Sequence, residues 1–195
     1  EPITLSAQEG NCLDDDETTE GAVPAVGPNG EIYVAWSYND TIFFDKSLDG
    51  GKTWLEEDLV VAEQPGGWTF DIPGSYRCNG LPVTVCDIRD GPDRGTIYVN
   101  WSDQRNGKDD TDIWVSKSTD GGESWSKPLK VNYDNSQRHQ FLTWMTVDQT
   151  SGFIYCVYYE RRDLEDNHTD VYLAFSVDGG KAFYDVNIGD SPFFP

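Results

Sequence analysis

The sequence predicts an all-β chain built from repeated four-stranded units, on three observations. An octamer occurs three times: residues 47–54 read Ser-Leu-Asp-Gly-Gly-Lys-Thr-Trp, residues 118–125 Ser-Thr-Asp-Gly-Gly-Glu-Ser-Trp, and residues 176–183 Ser-Val-Asp-Gly-Gly-Lys-Ala-Phe. Recurrence at a spacing of about 60 to 70 residues marks a repeat architecture. Short runs rich in β-branched and aromatic residues surround each copy, and aromatic residues make up 13% of the chain, as an all-β fold requires.

The octamer has the chemistry of a tight turn between strands. Its paired glycines permit a left-handed backbone, its aspartate can accept backbone N–H groups inside the turn, and its aromatic residue returns the chain to an apolar layer. Asp49, Trp54, Asp120, Trp125, Asp178 and Phe183 are therefore structural positions. Taken in order, the first unit has strand candidates at 22–26, 31–37, 41–47 and 55–61. The second has 81–86, 95–102, 112–118 and 128–132, and the third 141–147, 152–159, 170–176 and 184–188. Residues 2–6, Pro-Ile-Thr-Leu-Ser, read like the last strand of such a unit, with no octamer before them.

The pattern Ser-x-Asp-x-Gly-x-x-Trp/Phe resembles the Asp-box, or BNR repeat, of the sialidase-like β-propellers. That resemblance implies about three four-stranded blades of a six-bladed propeller. Residues 1–21 are then an outer strand of a preceding blade with its loop, and 22–64, 65–134 and 135–190 are the three blades. The remaining blades belong to a longer chain, to a self-associating second half or to a partner. The resemblance also implies a secreted or cell-surface protein, bacterial in origin, whose partner is a glycan or surface glycoconjugate.

Charge and composition narrow the function. A formal charge of -21 excludes non-specific nucleic-acid binding, which needs a cationic surface, and an acidic membrane surface repels such a chain. No apolar run approaches the roughly 18 residues of a membrane-inserting helix. Two histidines, His139 and His168, exclude a three-histidine zinc site, and no cofactor is expected. Calcium is the one metal with candidate ligands, at 14–17 (Asp-Asp-Asp-Glu) and in the 109–112 loop, and neither has the EF-hand pattern. Cys78 and Cys86 are close enough in sequence for a loop disulfide, whereas Cys156 lies in a strand-like run and is expected in the core.

In a propeller of this type the octamer turns share one face with the hairpins between first and second strands. The opposite face carries the hairpins between second and third strands and the blade connections. Here those segments, 7–21, 62–80, 103–111, 133–140 and 160–169, are long, and long loops on a rigid scaffold are where function concentrates. Aligning the second and third units pairs Asp103 with Glu160 and Arg105 with Arg162, an acid-x-Arg hairpin that the first unit lacks. Arg77, Arg105, Arg138, Arg161 and Arg162 all fall on this face. Arginine suits planar, bidentate recognition of a carboxylate, so an anionic sugar is the expected ligand. The alternative is that Arg105 and Arg162 pair with Asp112 and Asp170 across their own hairpins.

The resemblance implies an exo-glycosidase of sialidase type: an arginine cluster on the substrate carboxylate, a tyrosine nucleophile activated by a glutamate, and an aspartate as acid/base. The matching positions are Tyr159 beside Glu160, with Asp103 or Asp71 as the acid, and Trp68 and Tyr76 to stack on sugar rings; Trp144 is expected in the core. One departure stands out. The family's Phe-Arg-Ile-Pro segment appears here as Phe70-Asp-Ile-Pro73, an acid in the arginine's place. A non-catalytic propeller that binds glycan or protein is the alternative function.

Overall fold

The computed structural model describes residues 2–13 and 15–195. Among them are twelve strands and no helix. The strands form three antiparallel meanders of four: β1 (Glu20–Val26), β2 (Ile32–Tyr38), β3 (Thr41–Ser47) and β4 (Leu59–Glu63); β5 (Val83–Cys86), β6 (Ile97–Asp103), β7 (Asp112–Ser118) and β8 (Leu129–Lys130); β9 (Gln140–Val147), β10 (Ile154–Glu160), β11 (Asp170–Ser176) and β12 (Tyr184–Asn187). Each sheet is one blade with its strands in chain order.

Strand alternation builds the core, because successive side chains leave opposite faces. In β6, Ile97, Val99 and Trp101 pack against Tyr33, Ala35, Ile42 and Phe44 of the first blade. From the other face Tyr98, with Ile113 and Val115 of β7, meets Met145, Ile154, Cys156, Tyr158 and Ala174 of the third. The second blade is thus packed on both faces, and all seven residues of β6 are buried. Cys156 lies in the core as expected; Cys78 and Cys86 are free thiols in separate apolar clusters, so the anticipated loop disulfide is not formed.

The octamers form the turns that their chemistry predicts. In the first, Asp49 Oδ1 accepts the Thr53 N–H at 2.9 Å and the Ser47 hydroxyl at 2.9 Å, and Ser47 Oγ in turn accepts the Gly51 N–H at 2.8 Å. Asp120 and Asp178 repeat this with Ser118 and Ser176. These bonds, from the Thr53 N–H above all, hold the Asp49 carboxyl down to about 2, and bonds led by the Ser124 hydroxyl do the same for Asp120.

Four expectations shift. β5 opens at Val83 because Pro82 has no N–H to give a ladder, while the Leu81 N–H goes to Asn79 Oδ1. β4 begins at Leu59 since the Leu55 N–H is taken by Asp45 Oδ1 at 3.0 Å. Residues 2–6 form no strand: no third strand of a further blade lies beside them, and the Ala7 N–H bonds to Asp58 Oδ2 instead. Trp144 is 58% exposed rather than core, on a side of the third blade that no sheet covers.

Candidate functional site

The acid-x-Arg hairpins are blade junctions. Asp103, fully buried, receives Arg105 Nε at 2.9 Å and the Trp101 indole N–H at 2.7 Å, and the guanidinium lies 4.4 Å over the Trp114 ring. Arg105 Nη2 then donates to the Glu63 carbonyl at the end of the first blade's outer strand. Arg162 repeats the arrangement one blade on. Its Nη2 lies 2.6 Å from Glu160 and 2.5 Å from Asp185, its guanidinium 4.5 Å over Tyr172, and its Nη1 donates to the Tyr133 carbonyl of the second blade. Each arginine is held by the acid two residues before it, which replaces the expected cross-hairpin pairing. Asp112 bonds to Lys130, Asn132 and Asn106, and Asp170 Oδ1 is buried with no partner among the described residues.

Burial raises the Glu160 carboxyl above its ordinary range despite Arg162, whereas in Asp185 the bonds from Arg162 and Tyr158 outweigh burial and hold it low. Asp185 has no place in the acid-x-Arg pattern, and its position on an outer strand offered no sequence signal for its role.

Arg161 and Arg138 are placed differently. Arg161 is 1% exposed, with its guanidinium 5.1 Å from the Phe141 ring, and donates to Thr169 Oγ1 at 3.0 Å and to the Pro73 carbonyl at 2.6 Å. Arg138 donates to the Asp166 carbonyl at 2.8 Å. Among the described residues neither forms an ion pair, and Arg161 Nη2 and Arg138 Nε are buried without any partner. Burial and then the nearby Arg138 lower the Arg161 pKa. Burial together with Arg161 and Arg138 takes His139 to about 4, leaving that imidazole neutral beside Thr111 Oγ1 at 3.1 Å.

The 64–82 connection supplies the rest of the face. It is pinched by the Thr69–Asn79 bridge and by the Gly80 N–H on the Trp68 carbonyl at 2.7 Å. Within it Phe70, Ile72 and Cys78 pack with Phe141, while Asp71, Tyr76 and Arg77 are exposed. A cleft of about 300 Å³ opens among Asp71, Tyr76 and Arg77, and another of about 600 Å³ among Asp71, Gln104, Lys108 and Asp109. Trp68 is buried, its indole N–H on the Thr18 carbonyl, and is not free to stack on a sugar, whereas Tyr76 is fully exposed.

Tyr159 packs edge-on against Phe141 and Phe193, each ring 5.6 Å away, on the face opposite Glu160; the two side chains are adjacent in sequence and separate in space. Among the described residues no group of three or more His, Cys, Asp or Glu is placed to hold a metal, and Asp14 of the calcium candidate lies outside them.

No family model matches the chain, and no characterised relative matches it by sequence. Solved structures do. An α-L-arabinofuranosidase from Fusarium graminearum is 19% identical, with a TM-score of 0.61 over 94% of this chain and 51% of that one. An α-L-arabinanase from Penicillium chrysogenum is 20% identical, TM-score 0.56, over 90% and 51%. The NanB sialidase from Streptococcus pneumoniae is 13% identical, TM-score 0.51, over 88% and 23%. The chain spans about half the length of the arabinofuranosidase and arabinanase chains. Likeness at this identity speaks to fold, and with the three meanders above it makes this chain a segment of a β-propeller of four-stranded blades.

Proposed function

We propose that the chain is part of a secreted or surface-exposed, glycan-directed propeller of glycosidase type, and that its loop face between the second and third blades takes an anionic sugar. The observation that carries this reading is the Arg138–Arg161 pair: burial and then the nearby Arg138 lower the Arg161 pKa, each guanidinium has a buried N–H unpartnered, and among the described residues neither has a carboxylate. A buried charge without a counter-charge is costly, and an anion removes that cost. Arg105 and Arg162 are already occupied at the blade junctions. Asp71, exposed at the lip of two clefts, is the acid best placed to meet a ligand. The structural likeness to an arabinofuranosidase, an arabinanase and a sialidase supports a carbohydrate ligand.

A specific observation favours a second reading, a non-catalytic binding propeller. Of the four candidate catalytic residues, Asp103 and Glu160 are buried under their own arginines and Tyr159 is held between aromatic rings, which leaves Asp71 alone exposed.

Calorimetric titration of the native-length protein with N-acetylneuraminic acid tests the site. Binding that is lost in Arg161→Met and Arg138→Ala but kept in Lys52→Ala supports it. Equal affinity in all three, or no binding, overturns it. Turnover of a fluorogenic sialoside by the same sample then separates enzyme from binding module.

A further inference from the structure

The inner strands of the three blades are interrupted at one level. In the first blade Gly21 and Ala22 together face Trp36, because the register of β1 slips between Glu20 and Val23, and in the third Leu142 and Thr143 together face Tyr158. Trp36 and Tyr158 are equivalent, each the fifth residue of a strand that opens at Ile32 or Ile154. In the second blade the same level falls just before β5, where Pro82 has no N–H to give. A bulge bends its strand and breaks the local ladder. Two bulges and a proline thus leave a cavity of about 370 Å³ where the inner strands begin, at the loop face.

The two bulged positions differ in what they hold. Gly21 adopts φ +79° freely, and a Cβ there would meet Leu81 Cβ at 2.8 Å, so this wall needs glycine. Leu142, half-buried on the cavity wall, adopts φ +51°, a conformation that costs any residue with a side chain. Strain of this kind persists where the surroundings impose it, and it concentrates at ligand sites.

The lining defines a ligand class. Val23, Leu81, Pro82, Val83, Leu142 and Trp144 supply apolar surface, and no charged side chain among the described residues lines the cavity. Trp144 is 58% exposed, which leaves aromatic surface open to stacking. Two polar groups remain. Asn79 Oδ1 accepts the Leu81 N–H, and the Asn79 NH2 has no partner among the described residues. Thr143 donates its hydroxyl proton to Asn100 Oδ1 at 2.7 Å, and Asn100 is fixed by its own bond to the Trp114 carbonyl, so Thr143 Oγ1 is left as an acceptor. One donor and one acceptor match a single hydroxyl. A sugar brings several hydroxyls, and each one buried without a partner is costly, so an unmodified sugar is the poorer occupant.

We propose that this cavity binds a small uncharged phenolic ring, its flat face against Trp144 and its hydroxyl between Asn79 and Thr143. A volume of about 370 Å³ lies within the range of small-molecule sites. The arginine pair does not line it, so the inference is independent of the anion proposed above.

Titration of the native protein with p-fluorophenol, followed by fluorine NMR, tests it. Saturable binding is expected, abolished in Leu81→Trp, which fills the cavity, and kept in Arg138→Ala. Asn79→Asp retains the acceptor for the Leu81 N–H and loses the donor, so it weakens binding about tenfold, the worth of one hydrogen bond. Absence of saturable binding, or unchanged affinity in Leu81→Trp, overturns the proposal, and so does displacement of the probe by an equal concentration of arabinose. Loss of binding in Arg138→Ala with Leu81→Trp unaffected assigns the ring to the arginines and overturns it as well. If Leu81→Trp does not fold, Asn79→Asp decides alone, and unchanged affinity there refutes the site.

Discussion

Lys117 Nζ lies 2.6 Å from the carbonyl oxygen of Gly179, so a side chain of the second blade grips the octamer turn of the third. Lys46 grips the turn at Gly121 in the same way one junction earlier. The repeat thus contains its own connector: the turn supplies an outward carbonyl, and the third strand of the preceding blade supplies the cation. Lys117→Met keeps the aliphatic stem and removes the donor. The expected loss is about 1.5–3 kcal/mol, the usual worth of a charged hydrogen bond. Denaturant melts of Lys117→Met, Lys46→Met and the double variant check it, with additive losses expected because the two clasps share no partner.

Arg162 holds two acids at once, Glu160 and Asp185, and the Tyr158 hydroxyl also donates to Asp185 at 2.6 Å. Arg162→Ala leaves both carboxylates in a buried site with no cation, an expected loss of about 3–5 kcal/mol. The pH dependence has a definite sign. The folded-state pKa of Glu160 is already raised by burial, and removing Arg162 raises it further. A group that binds its proton more tightly when folded contributes stability below its unfolded pKa and loses it as pH rises through the folded one. Thermal melts of Arg162→Ala therefore show a smaller deficit near pH 5 than near pH 8. A deficit unchanged with pH refutes the clamp.

The carboxylates of the octamer turns act in the opposite direction. Asp49 and Asp120, held at about 2 by their turn bonds, stabilise the folded chain fully above their ordinary range, and that contribution disappears as pH falls toward 2. Asp49→Asn is expected to lower Tm at pH 6 and to converge with the unsubstituted protein near pH 2. Parallel curves between pH 6 and pH 2 would show that the charge on the turn is immaterial.

Glycines of the same turn differ in what surrounds them. Gly50 and Gly122 both have positive φ, +75° and +89°, but a Cβ at Gly50 meets nothing, whereas one at Gly122 runs into the Phe44 ring across the blade junction. Gly50→Ala is expected to cost about 1–2 kcal/mol from the left-handed backbone alone. Gly122→Ala adds roughly 1–3 kcal/mol of overpacking to that strain. Urea midpoints of the two variants give the comparison, and equal losses would mean that the junction relaxes.

Much of this molecule is determined locally. Period-two alternation in Ile97-Tyr-Val-Asn-Trp and the three Ser-x-Asp-Gly-Gly turns specify strands and hairpins from residues within one blade, so the four-stranded units and the loop-face position of the arginines were legible in the sequence. Partnership across blades was not. Arg162 has an acid two residues before it and another eight residues after it, at Asp170, and only the fold brings Asp185 of an outer strand to its guanidinium in the latter's stead. Trp144 reads as core because it lies in a strand-like run; its exposure follows from which side of the third blade is covered. Arg138 and Arg161 look like the other loop arginines in composition and spacing. Their lack of a counter-charge among the described residues emerges only once the fold has set which side chains meet. Local periodicity set the blades, whereas the pairing of buried charges, which depends on which side chains meet at a junction, was decided by tertiary packing.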